Sequence, residues 1–520
     1  MTSPQRSRIN DGLANKIEGH VLTHYKPAWN FIQQIPSLKK LANKTLINSL
    51  IYKIPTRPYP LSTIADYTSW ESLADRTFTG RHLPPTTRQP ATLPSVDDVV
   101  TLFERAPGKP ILSSKSTMLF AYFAQWFTDG FLRTDRVNPL KNTSNHEIDL
   151  CQLYGLNRAA THLLRSYQSG KLKSQIINSE EYPCYYFGNH GTVKPEFDGH
   201  PIIFQPEINS ARKATLFAMG IERANIQIGY VMMNTLFLRE HNRICDILAR
   251  AYPDWDDERL FQTARNTLIV LLIKIVVDEY INHISPYHFK FKFDAASFWK
   301  ERWYRQNWMS VEFSLVYRWH GLIPDQIRHG GQDLPTEETF FNNDLVTSRG
   351  LGASFEAASL QPAGEIGLFN TPRFLLDTER ASIELSRHAR LASYNDYRKL
   401  CGYPKVTDFN QITANLTTQR ALAQVYGHVD NIDFYVGLMA EEVRPNSALA
   451  PLMGRLVGID AFSQALTNPL LSEHVFNEQT FSRAGLKIIK QTSSLSDVLH
   501  RNIPSRSKRY RMTMTQSNTA

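Results

Sequence analysis

Hydrophobic residues recur along the chain at the spacing of α-helices, whereas the strict alternation typical of β-strands is rare. From Asp97 onward, apolar positions return every three or four residues in long segments, the pattern of helices that bury one face. This pattern predicts helices over residues 98–105, 116–134, 228–251, 258–283, 311–321, 381–391 and 416–426. Proline-rich stretches at 55–60 and 84–94 indicate extended connectors. The expected fold class is mainly α-helical.

Two apolar stripes at helical spacing precede these long segments. The first comprises Trp29, Ile32, Ile35 and Leu38, and the second comprises Leu46, Ile47, Leu50, Ile51 and Ile54. Pro27, Pro36 and Pro55 limit the region to short helices, because proline can begin an α-helix but interrupts its interior. Lysines are interspersed, so these amphipathic helices fit a membrane interface, and they equally fit packing against the body of the protein.

The net charge of +9 is concentrated at the two ends of the chain. Residues 1–57 carry nine Lys or Arg against two acidic residues, and residues 483–520 carry eight against one. Basic ends on a slightly acidic body fit attachment to an anionic membrane surface, or solvated basic termini. Nucleic acid is not an expected partner, because no basic helix interleaved with stacking aromatic residues is present.

Cysteine usage and the N-terminal segment bear on the compartment. The four cysteines lie far apart without a CxxC pair, which predicts reduced thiols rather than a zinc module or a disulfide framework. The N-terminus MTSPQRSRIN lacks the layout of a secretory signal, and the apolar run Leu268 to Val277 is too short to span a bilayer. We expect an intracellular protein, cytoplasmic or peripherally membrane-associated and not secreted.

The segment SVEFSLVYRWHGLIPD, residues 310–325, contains two candidate site residues, a tyrosine and a histidine. Gly321 and Pro324 predict the end of a helix, which places His320 in its last turn. Tyr317, three residues earlier, then lies roughly 60° away on the same face, so that a ligand histidine and a phenol can flank one cofactor. Taken alone, such a histidine is more often a satisfied, partly buried side chain.

A second segment, FAYFAQWFTDGF at residues 120–131, places polar side chains on one face of an aromatic helix. Gln125, Thr128 and Asp129 share this face with Ala121. Polar groups in such a setting need partners, which solvent, a neighbouring segment or a cofactor can supply.

These segments, together with others in the same order, resemble a known family. LREHNRICDIL, DDERLFQTAR, IKIVVDEYI, HFKFKFD and VYRWHGLIPD are similar to the heme domain of prostaglandin-endoperoxide synthases, the cyclooxygenases. So are ADYTSWESL, EIDLCQLYG, YNDYRKLCG and FYVGLMAE. Cyclooxygenases belong to the animal-type heme peroxidase superfamily, together with fatty-acid α-dioxygenases. The resemblance extends from about Tyr25 to Val498 and is more specific for the fold than for the reaction.

The resemblance implies roles for the two residues of the first segment. His320 matches the proximal heme ligand, and Tyr317 matches the tyrosine that becomes the oxidising radical. In that family a peroxide oxidises the heme, the heme oxidises the tyrosine, and the tyrosyl radical abstracts hydrogen from a fatty acid so that dioxygen can add. The axial imidazole and its hydrogen-bond partners set the electronic properties of the iron.

The distal side departs from the family pattern. Gln125 matches the distal glutamine, but Asp129 stands where the family has its distal histidine, a general acid–base group that contributes roughly 10²–10⁴-fold. We therefore expect Gln125 and Asp129 to handle peroxide, with weak turnover of ordinary peroxidase dyes. Two alternatives follow: a pocket rebuilt for peroxide-dependent oxygenation or hydroperoxide conversion, or a catalytically silent heme or lipid binder.

The resemblance also implies how the heme is held. Relatives with covalent heme use an aspartate and a glutamate to form esters, and those positions correspond here to Thr128 and Gly229. Non-covalent heme b is therefore expected, with His320, Gln125, Asp129 and Thr128 around it, although Asp129 lies next to the ester position. No calcium-loop pattern is present, so no calcium is expected.

The substrate end of the family pattern is less well matched. Cyclooxygenases bind the fatty-acid carboxylate with an arginine and a tyrosine at the channel mouth. The arginine corresponds loosely to Ile51, with Lys53 and Arg57 as the nearest cations, and the tyrosine to Leu334 or Thr336. The residues that bind a substrate carboxylate are therefore not identified from the sequence.

Three regions are expected. They are a basic amphipathic membrane-association region at 1–58, a heme-binding oxygenase/peroxidase domain at 59–500 and a basic tail at 501–520. The expected function is heme-dependent addition of dioxygen to a fatty-acid-like lipid through a tyrosyl radical. Expected partners are that lipid, dioxygen, peroxide and a peripheral membrane surface, with a homodimer possible.

Overall fold

Helices dominate a computed structural model of the protein, which describes residues 11–54, 63–87, 93–203, 208–504 and 508–516. The α-helices in chain order are α1 Leu13–His24, α2 Lys26–Gln34, α3 Pro36–Ile51, α4 Trp70–Ala74, α5 Val96–Val100, α6 Met118–Thr128, α7 Cys151–Tyr154, α8 Arg158–Leu164, α9 Ser210–Ala214, α10 Ile228–Ala251, α11 Asp257–Ile275, α12 Ile281–Ile284, α13 Val311–Val316, α14 Asp344–Thr347, α15 Leu351–Leu360, α16 Leu376–His388, α17 Tyr394–Leu400, α18 Leu416–Tyr426, α19 Phe434–Ala440, α20 Pro451–Leu466, α21 Glu478–Gln491 and α22 Leu495–Arg501.

The strands are short and lie outside the helical core. In the described residues they form three antiparallel pairs, β1 with β6, β2 with β3 and β4 with β5. Their bounds are β1 Leu112–Thr117, β2 Ser174–Ile177, β3 Glu180–Pro183, β4 Gln326–His329, β5 Gln332–Pro335 and β6 Pro362–Gly364. The mainly α-helical fold class is confirmed.

Several predicted helices form with the predicted bounds and others are shorter. Residues 228–251 and 416–426 are helical throughout, as α10 and α18. The helix predicted at 116–134 is confined to α6, because Ser116 and Thr117 end strand β1 and the α-helix stops before Asp129. In place of the helix predicted at 98–105 the structure has the shorter α5, Val96–Val100. The helix predicted at 381–391 is α16, which begins earlier, at Leu376, and ends at His388.

In the core, α10 packs against both α6 and α11. Helices α6 and α10 approach closely at Gly229 of α10, where a Cβ would lie 2.1 Å from the ring of Tyr122 of α6. Helix α11 continues through a π-helical turn, Val276–Tyr280, into α12. This turn carries Tyr280, which is fully buried, to the same layer as Phe120 of α6, with ring centroids 5.6 Å apart.

The continuous stretch Asp257–Ile284 is long and apolar enough to cross a membrane by length and composition. Its apolar window is 78% buried inside the protein, as expected for a core helix. Burial therefore accounts for its composition within this fold.

The N-terminal helices begin where the prolines predicted. Pro27 lies in the first turn of α2, and α3 begins at Pro36. The inner side of α3 packs on the body, where Ile47, Ile51 and Ile54 are buried. The expected boundary at residues 58 and 59 lies outside the described residues, as does Arg57.

The described part of the C-terminal tail, residues 508–516, also packs on the body. Met514 is buried, and its carbonyl accepts the backbone N–H of Thr117. Thr515 forms an antiparallel bridge with Ser116 at the edge of β1. This part of the tail therefore adds to the β1 edge.

Candidate active site

The segment that contains Tyr317 and His320 is not the single helix predicted from the sequence. Helix α13 ends at Val316, and His320 begins a separate 3₁₀ turn, His320–Leu322. The indole Nε1 of Trp319 donates to the carbonyl of Val316 (2.6 Å), the acceptor that the amide of His320 would need in a continuing α-helix. The prediction of one helical face carrying both residues is therefore wrong, although the two remain adjacent in the chain.

A side chain on another helix determines which of the two ring nitrogens of His320 is available to a ligand. Its Nδ1 lies 3.0 Å from the Oε1 of Glu379 in α16, and both side chains are largely buried. Glu379 also accepts hydrogen bonds from the hydroxyls of Thr371 (2.7 Å) and Tyr435 (2.5 Å). Because Nδ1 faces this carboxylate, Nε2 is the nitrogen left to bind an iron, which fits a heme at this position.

Tyr317 has the properties of a protected phenol. Its hydroxyl oxygen is buried without a hydrogen-bond partner, although the residue as a whole is half-buried. Its ring packs edge-on against Phe313 and beside Trp319, with centroids 5.1 Å and 4.7 Å apart. Burial raises the pKa of Tyr317 well above its ordinary value, and the neighbouring hydroxyl of Tyr280 opposes this shift. Tyr317 therefore keeps its proton at physiological pH.

Gln125 and Asp129 lie one turn apart at the end of α6, as the sequence predicted. The amide of Gln227 donates to the Oε1 of Gln125 (3.2 Å). The Oδ1 of Asp129 lies 3.3 Å from Nη1 of Arg223, whereas its Oδ2 is buried without a hydrogen-bond partner. One carboxylate oxygen of Asp129 is therefore held and the other is not.

Opposing effects act on the protonation of Asp129. Burial raises the pKa of Asp129, and the guanidinium groups of Arg223, Arg133 and Arg318 lower it, with burial the larger effect. Thr128 is already engaged, because its hydroxyl donates to the carbonyl of Ala124 (2.8 Å). The hydroxyl of Thr128, one of the four predicted cofactor-binding residues, is therefore used in a hydrogen bond within its own helix.

Arg318 connects the two sides of the candidate site. It lies between Tyr317 and His320 in the chain, and its charge acts on both Asp129 and Glu379. Sequence reasoning missed Glu379, Arg223, Gln227 and Arg318. Arg318 lies inside the segment VYRWHGLIPD, so the sequence could have indicated it. Glu379 lies in a helix with charged residues at many positions, and nothing in the sequence distinguishes it from them. Among the described residues no three His, Cys, Asp or Glu side chains converge as metal ligands.

A cavity of about 580 Å³ lies between the N-terminal helices and the body. Its apolar side is formed by residues that include Leu50, Ile281, Ile284, Phe291 and Phe462. Ile281 directly follows Tyr280, whose hydroxyl neighbours that of Tyr317. Helix α12 therefore joins this wall of the cavity to the turn that carries Tyr280, whereas Tyr317 is not among the described residues that line the cavity.

The other side of this cavity is lined by two arginines, Arg444 and Arg455, together with Tyr403. The Arg455 side chain is 7% exposed, and its Nη2 lies 3.8 Å from Glu18 of α1. Arg444 forms an ion pair with Asp11, just before α1. Of the expected carboxylate positions, Ile51 is a buried apolar residue and Lys53 pairs with Glu18 at 3.6 Å.

Comparisons with known proteins identify the family of this chain. The profile of the animal haem peroxidase family matches residues 134–514. Prostaglandin G/H synthase 2 of Equus caballus is 34% identical over 498 residues, covering 93% of this chain and 80% of the relative. Prostaglandin G/H synthase 1 of Rattus norvegicus is 31% identical over 492 residues, covering 91% and 78%.

Two solved structures share the fold. Fatty acid alpha-dioxygenase of Arabidopsis thaliana superposes with a TM-score of 0.70 at 18% identity, covering 97% of this chain and 91% of that structure. Peroxidase A of Dictyostelium discoideum gives 0.66 at 20% identity, covering 84% and 92%. The chain therefore belongs to the animal haem peroxidase family, in its cyclooxygenase-like branch, and is an oxidoreductase.

Proposed function

We propose that this protein is a heme-dependent oxygenase that adds dioxygen to an unsaturated fatty acid through a radical on Tyr317. Relatives named as prostaglandin synthases and fold neighbours named as fatty acid α-dioxygenases support this reaction class. The observation that carries the proposal is the buried, protonated phenol of Tyr317, three residues from His320 in the chain. The hydroxyl of Tyr317 is shielded from water and lies beside that of Tyr280, so its hydrogen atom can be given up without competition from solvent.

His320 is the proposed iron ligand, and Gln125 and Asp129 are the proposed distal residues. When bound, the heme supplies the oxidising power, drawn from a peroxide, that removes one electron and one proton from a tyrosine. The residues of this chain then position the phenol. Phe313 and Trp319 hold the ring of Tyr317, and the surrounding burial keeps water from its hydroxyl.

The radical step balances in hydrogen and oxygen. The Tyr317 oxygen radical takes one hydrogen atom from an activated CH₂ group of the lipid, which leaves a carbon radical. Dioxygen adds to that carbon to form a peroxyl radical, which takes the hydrogen atom back from Tyr317. The net reaction converts the lipid C–H bond and O₂ into a C–O–O–H group, and Tyr317 is ready for another cycle.

Arg455 and Arg444 are the proposed carboxylate-binding residues. The lining of the cavity combines apolar side chains with two arginines, which matches a molecule with a hydrocarbon chain and one anionic end. Arginine suits this role because its planar fork can bind both carboxylate oxygens. Asp11 and Glu18 currently contact these arginines, so a substrate carboxylate would replace them.

Oxygen uptake by the heme-loaded protein tests the proposal. Wild type is compared with Tyr317→Phe and with Tyr185→Phe, a control at a half-buried tyrosine outside the site, using free fatty acids with trace lipid hydroperoxide. We expect uptake in wild type and the control and its loss in Tyr317→Phe, because phenylalanine has no hydroxyl group that could carry the radical. Uptake that survives in Tyr317→Phe rejects the radical role.

A second candidate function is peroxide-dependent oxygenation without a tyrosyl radical. The contact between Asp129 and Arg223 favours it, because a carboxylate held on one oxygen leaves the other free to move a proton. It predicts that Tyr317→Phe retains product formation with added peroxide. Protein that binds heme but consumes neither oxygen nor peroxide would indicate the third candidate, a silent heme or lipid binder.

Heme bound without a covalent ester is the proposed form. Gly229 has no carboxyl group, Thr128 bonds to its own helix, and the Oδ1 of Asp129 contacts Arg223. Acidified organic solvent should therefore extract all of the heme from wild type. Heme that stays with the protein in wild type but is released from Asp129→Asn would show a link through that residue.

Helices α1 to α3 are the proposed membrane contact of an intracellular, peripheral protein. They expose apolar side chains at Leu13 (76%), Ile17 (55%), Phe31 (59%) and Leu41 (63%), beside several lysines. Binding to vesicles that contain phosphatidylserine should fall at least about tenfold in Phe31→Glu/Leu41→Glu, since each change removes buried apolar area. Leu416→Glu, at an exposed leucine outside these helices, is the control. Unchanged binding rejects the contact.

A homodimer is also proposed. Exposed side chains between residues 63 and 74 offer an apolar contact surface, with Tyr67 at 71% and Trp70 at 78% exposure. Light scattering should give twice the chain mass for wild type and a lower mass for Trp70→Glu. A monomeric wild type excludes the homodimer.

A further inference from the structure

Glu379 stands out because its carboxylate is buried and its contacts converge on His320. The side chain is 2% exposed, and Oε1 lies 3.0 Å from Nδ1 of the histidine. Thr371 donates a hydrogen bond to its Oε1, and Tyr435 donates one to its Oε2. The carboxylate is therefore fixed in place before any ligand binds His320.

Its charge has little compensation close by. In the part of the chain that the structure describes, His320 is the basic side chain within 4.0 Å of the Glu379 carboxylate, and the charge of Arg318 acts on it from farther away. A buried carboxylate is unfavourable unless hydrogen bonds and positive charge offset the loss of water. A ferric iron bound through His320 would provide such a charge.

His320 Nδ1 and Glu379 Oε1 lie at hydrogen-bonding distance, but the N–H of the His320 ring is not directed at this oxygen. A rotation of the imidazole would bring them into line. Ligand histidines commonly donate their other N–H to a carboxylate, and this raises the basicity of the ligand. Here the acceptor is a full negative charge rather than a neutral carbonyl.

We propose that Glu379 is a positioning residue that accepts the Nδ1–H of His320 and gives the proximal ligand anionic character. The inference rests on the proposed assignment of His320 as the iron ligand. Stronger donation from the proximal side stabilises ferric iron, and an electron-rich proximal ligand favours cleavage of a bound O–O bond. Such donation would offset, in part, the replacement of a distal imidazole by Asp129.

The midpoint potential of the Fe(III)/Fe(II) couple in the heme-loaded protein tests this, together with the iron–histidine stretching frequency of the ferrous form. Glu379→Gln should shift the potential to more positive values and lower the stretching frequency, because the acceptor loses its charge. Heme affinity should fall about tenfold, the lower end of the range for such partners. Glu384→Gln, an exposed glutamate on the same helix α16, is the matched control.

Tyr435→Phe separates an electronic role from a merely structural one. Removing this donor leaves more negative charge on Glu379 for the histidine, so the potential should move in the negative direction, opposite to Glu379→Gln. A purely structural loosening would move both variants the same way and would overturn the inference. So would a potential for Glu379→Gln equal to that of wild type.

His320→Gln distinguishes failure of the inference from failure of the proposed function. If the iron–histidine band persists in this variant, His320 is not the ligand, and the proposed site is wrong. If the band disappears in His320→Gln but Glu379→Gln leaves the potential unchanged, the ligand is correct and the role of Glu379 is rejected.

Discussion

Asp129 is the proposed distal residue at the position where the family resemblance implies a histidine, and its surroundings act on its protonation. A carboxyl group is normally far more acidic than an imidazole. Burial raises the pKa of Asp129, which moves it toward the range of a useful proton acceptor and donor. Arg223 acts in the opposite direction and holds one oxygen in position. The two residues therefore have to be considered together.

Arg223→Gln should shift the pH dependence of peroxide consumption. Arg223 lowers the pKa of Asp129, so its removal raises that pKa further, and a higher pH is then needed to ionise the carboxylate. The acidic limb of the rate profile should move to higher pH, with Arg223→Lys closer to wild type. Stopped-flow rates with a lipid hydroperoxide measure this.

Arg136→Gln, at an exposed arginine just beyond this cluster, is the control and should leave the profile unchanged. Asp129→Asn should lower the rate by about 100-fold, the lower end of the range for general acid–base catalysis, and abolish the acidic limb. If the acidic limb of the pH–rate profile remains in Asp129→Asn, that limb belongs to another group, and the proposed role of Asp129 is contradicted.

At the scale of elements, helix α1 was not predicted, and it closes the cationic side of the cavity. Asp11 pairs with Arg444, and Glu18 lies near both Arg455 and Lys53. Asn15 also accepts a hydrogen bond from Arg455 (3.2 Å). Asp11 and Glu18 therefore contact the two arginines that are proposed to bind a substrate carboxylate.

Glu18→Gln should strengthen fatty-acid binding, and Arg455→Gln should weaken it about tenfold, because hydrogen bonds to charged groups contribute roughly 1.5–3 kcal/mol. Displacement of a fluorescent fatty acid measures both. The matching fatty alcohol lacks the carboxylate, so its affinity should be the same in wild type and both variants. Equal losses for acid and alcohol in Arg455→Gln would mean that the cavity has collapsed instead.

The early end of α13 illustrates why element boundaries escaped prediction. The apolar spacing of residues 311–321 continues past Val316, but Trp319 and Arg318 use their side chains to bond the carbonyls of Val316 and Ser314. Gly321 then packs against the backbone of Glu365, where a Cβ would lie 2.7 Å from the carbonyl oxygen. These contacts are between segments or between side chain and backbone, and hydrophobic periodicity carries no information about them.

Over the whole molecule, buried titratable groups act on stability in opposite directions. Burial lowers the pKa of His283 to about 3, so this histidine is neutral in the folded protein; the nearby Lys115 and Lys290 add to the shift. Burial raises the pKa of Glu279 to about 7, so it is protonated in the folded state below that pH. Between pH 6.5 and 4.5, falling pH therefore destabilises the fold through His283 and stabilises it through Glu279.

Single variants should separate these two effects in urea unfolding measured between pH 6.5 and 4.5. Relative to His283→Gln, wild type should lose up to about 1.4 kcal/mol of unfolding free energy per pH unit as the pH falls. Relative to Glu279→Gln, wild type should gain stability over the same interval. A difference from either variant that does not change with pH would show that the residue does not titrate as described.

The sequence by itself determined the helical class, the long helices α10 and α18, the proline-limited N-terminal helices, and the identity of His320, Tyr317, Gln125 and Asp129 as candidates. These depend on local periodicity, on the backbone geometry of proline and on the order of segments that resemble one family. Tertiary structure alone decided that Glu379 faces His320, that Arg223 holds Asp129 and that α1 covers Arg455. The three contacts join residues that are 59, 94 and 437 positions apart in the chain. Such pairs form only when the helices pack, because burial forces each charged group to find its partner wherever the fold brings one.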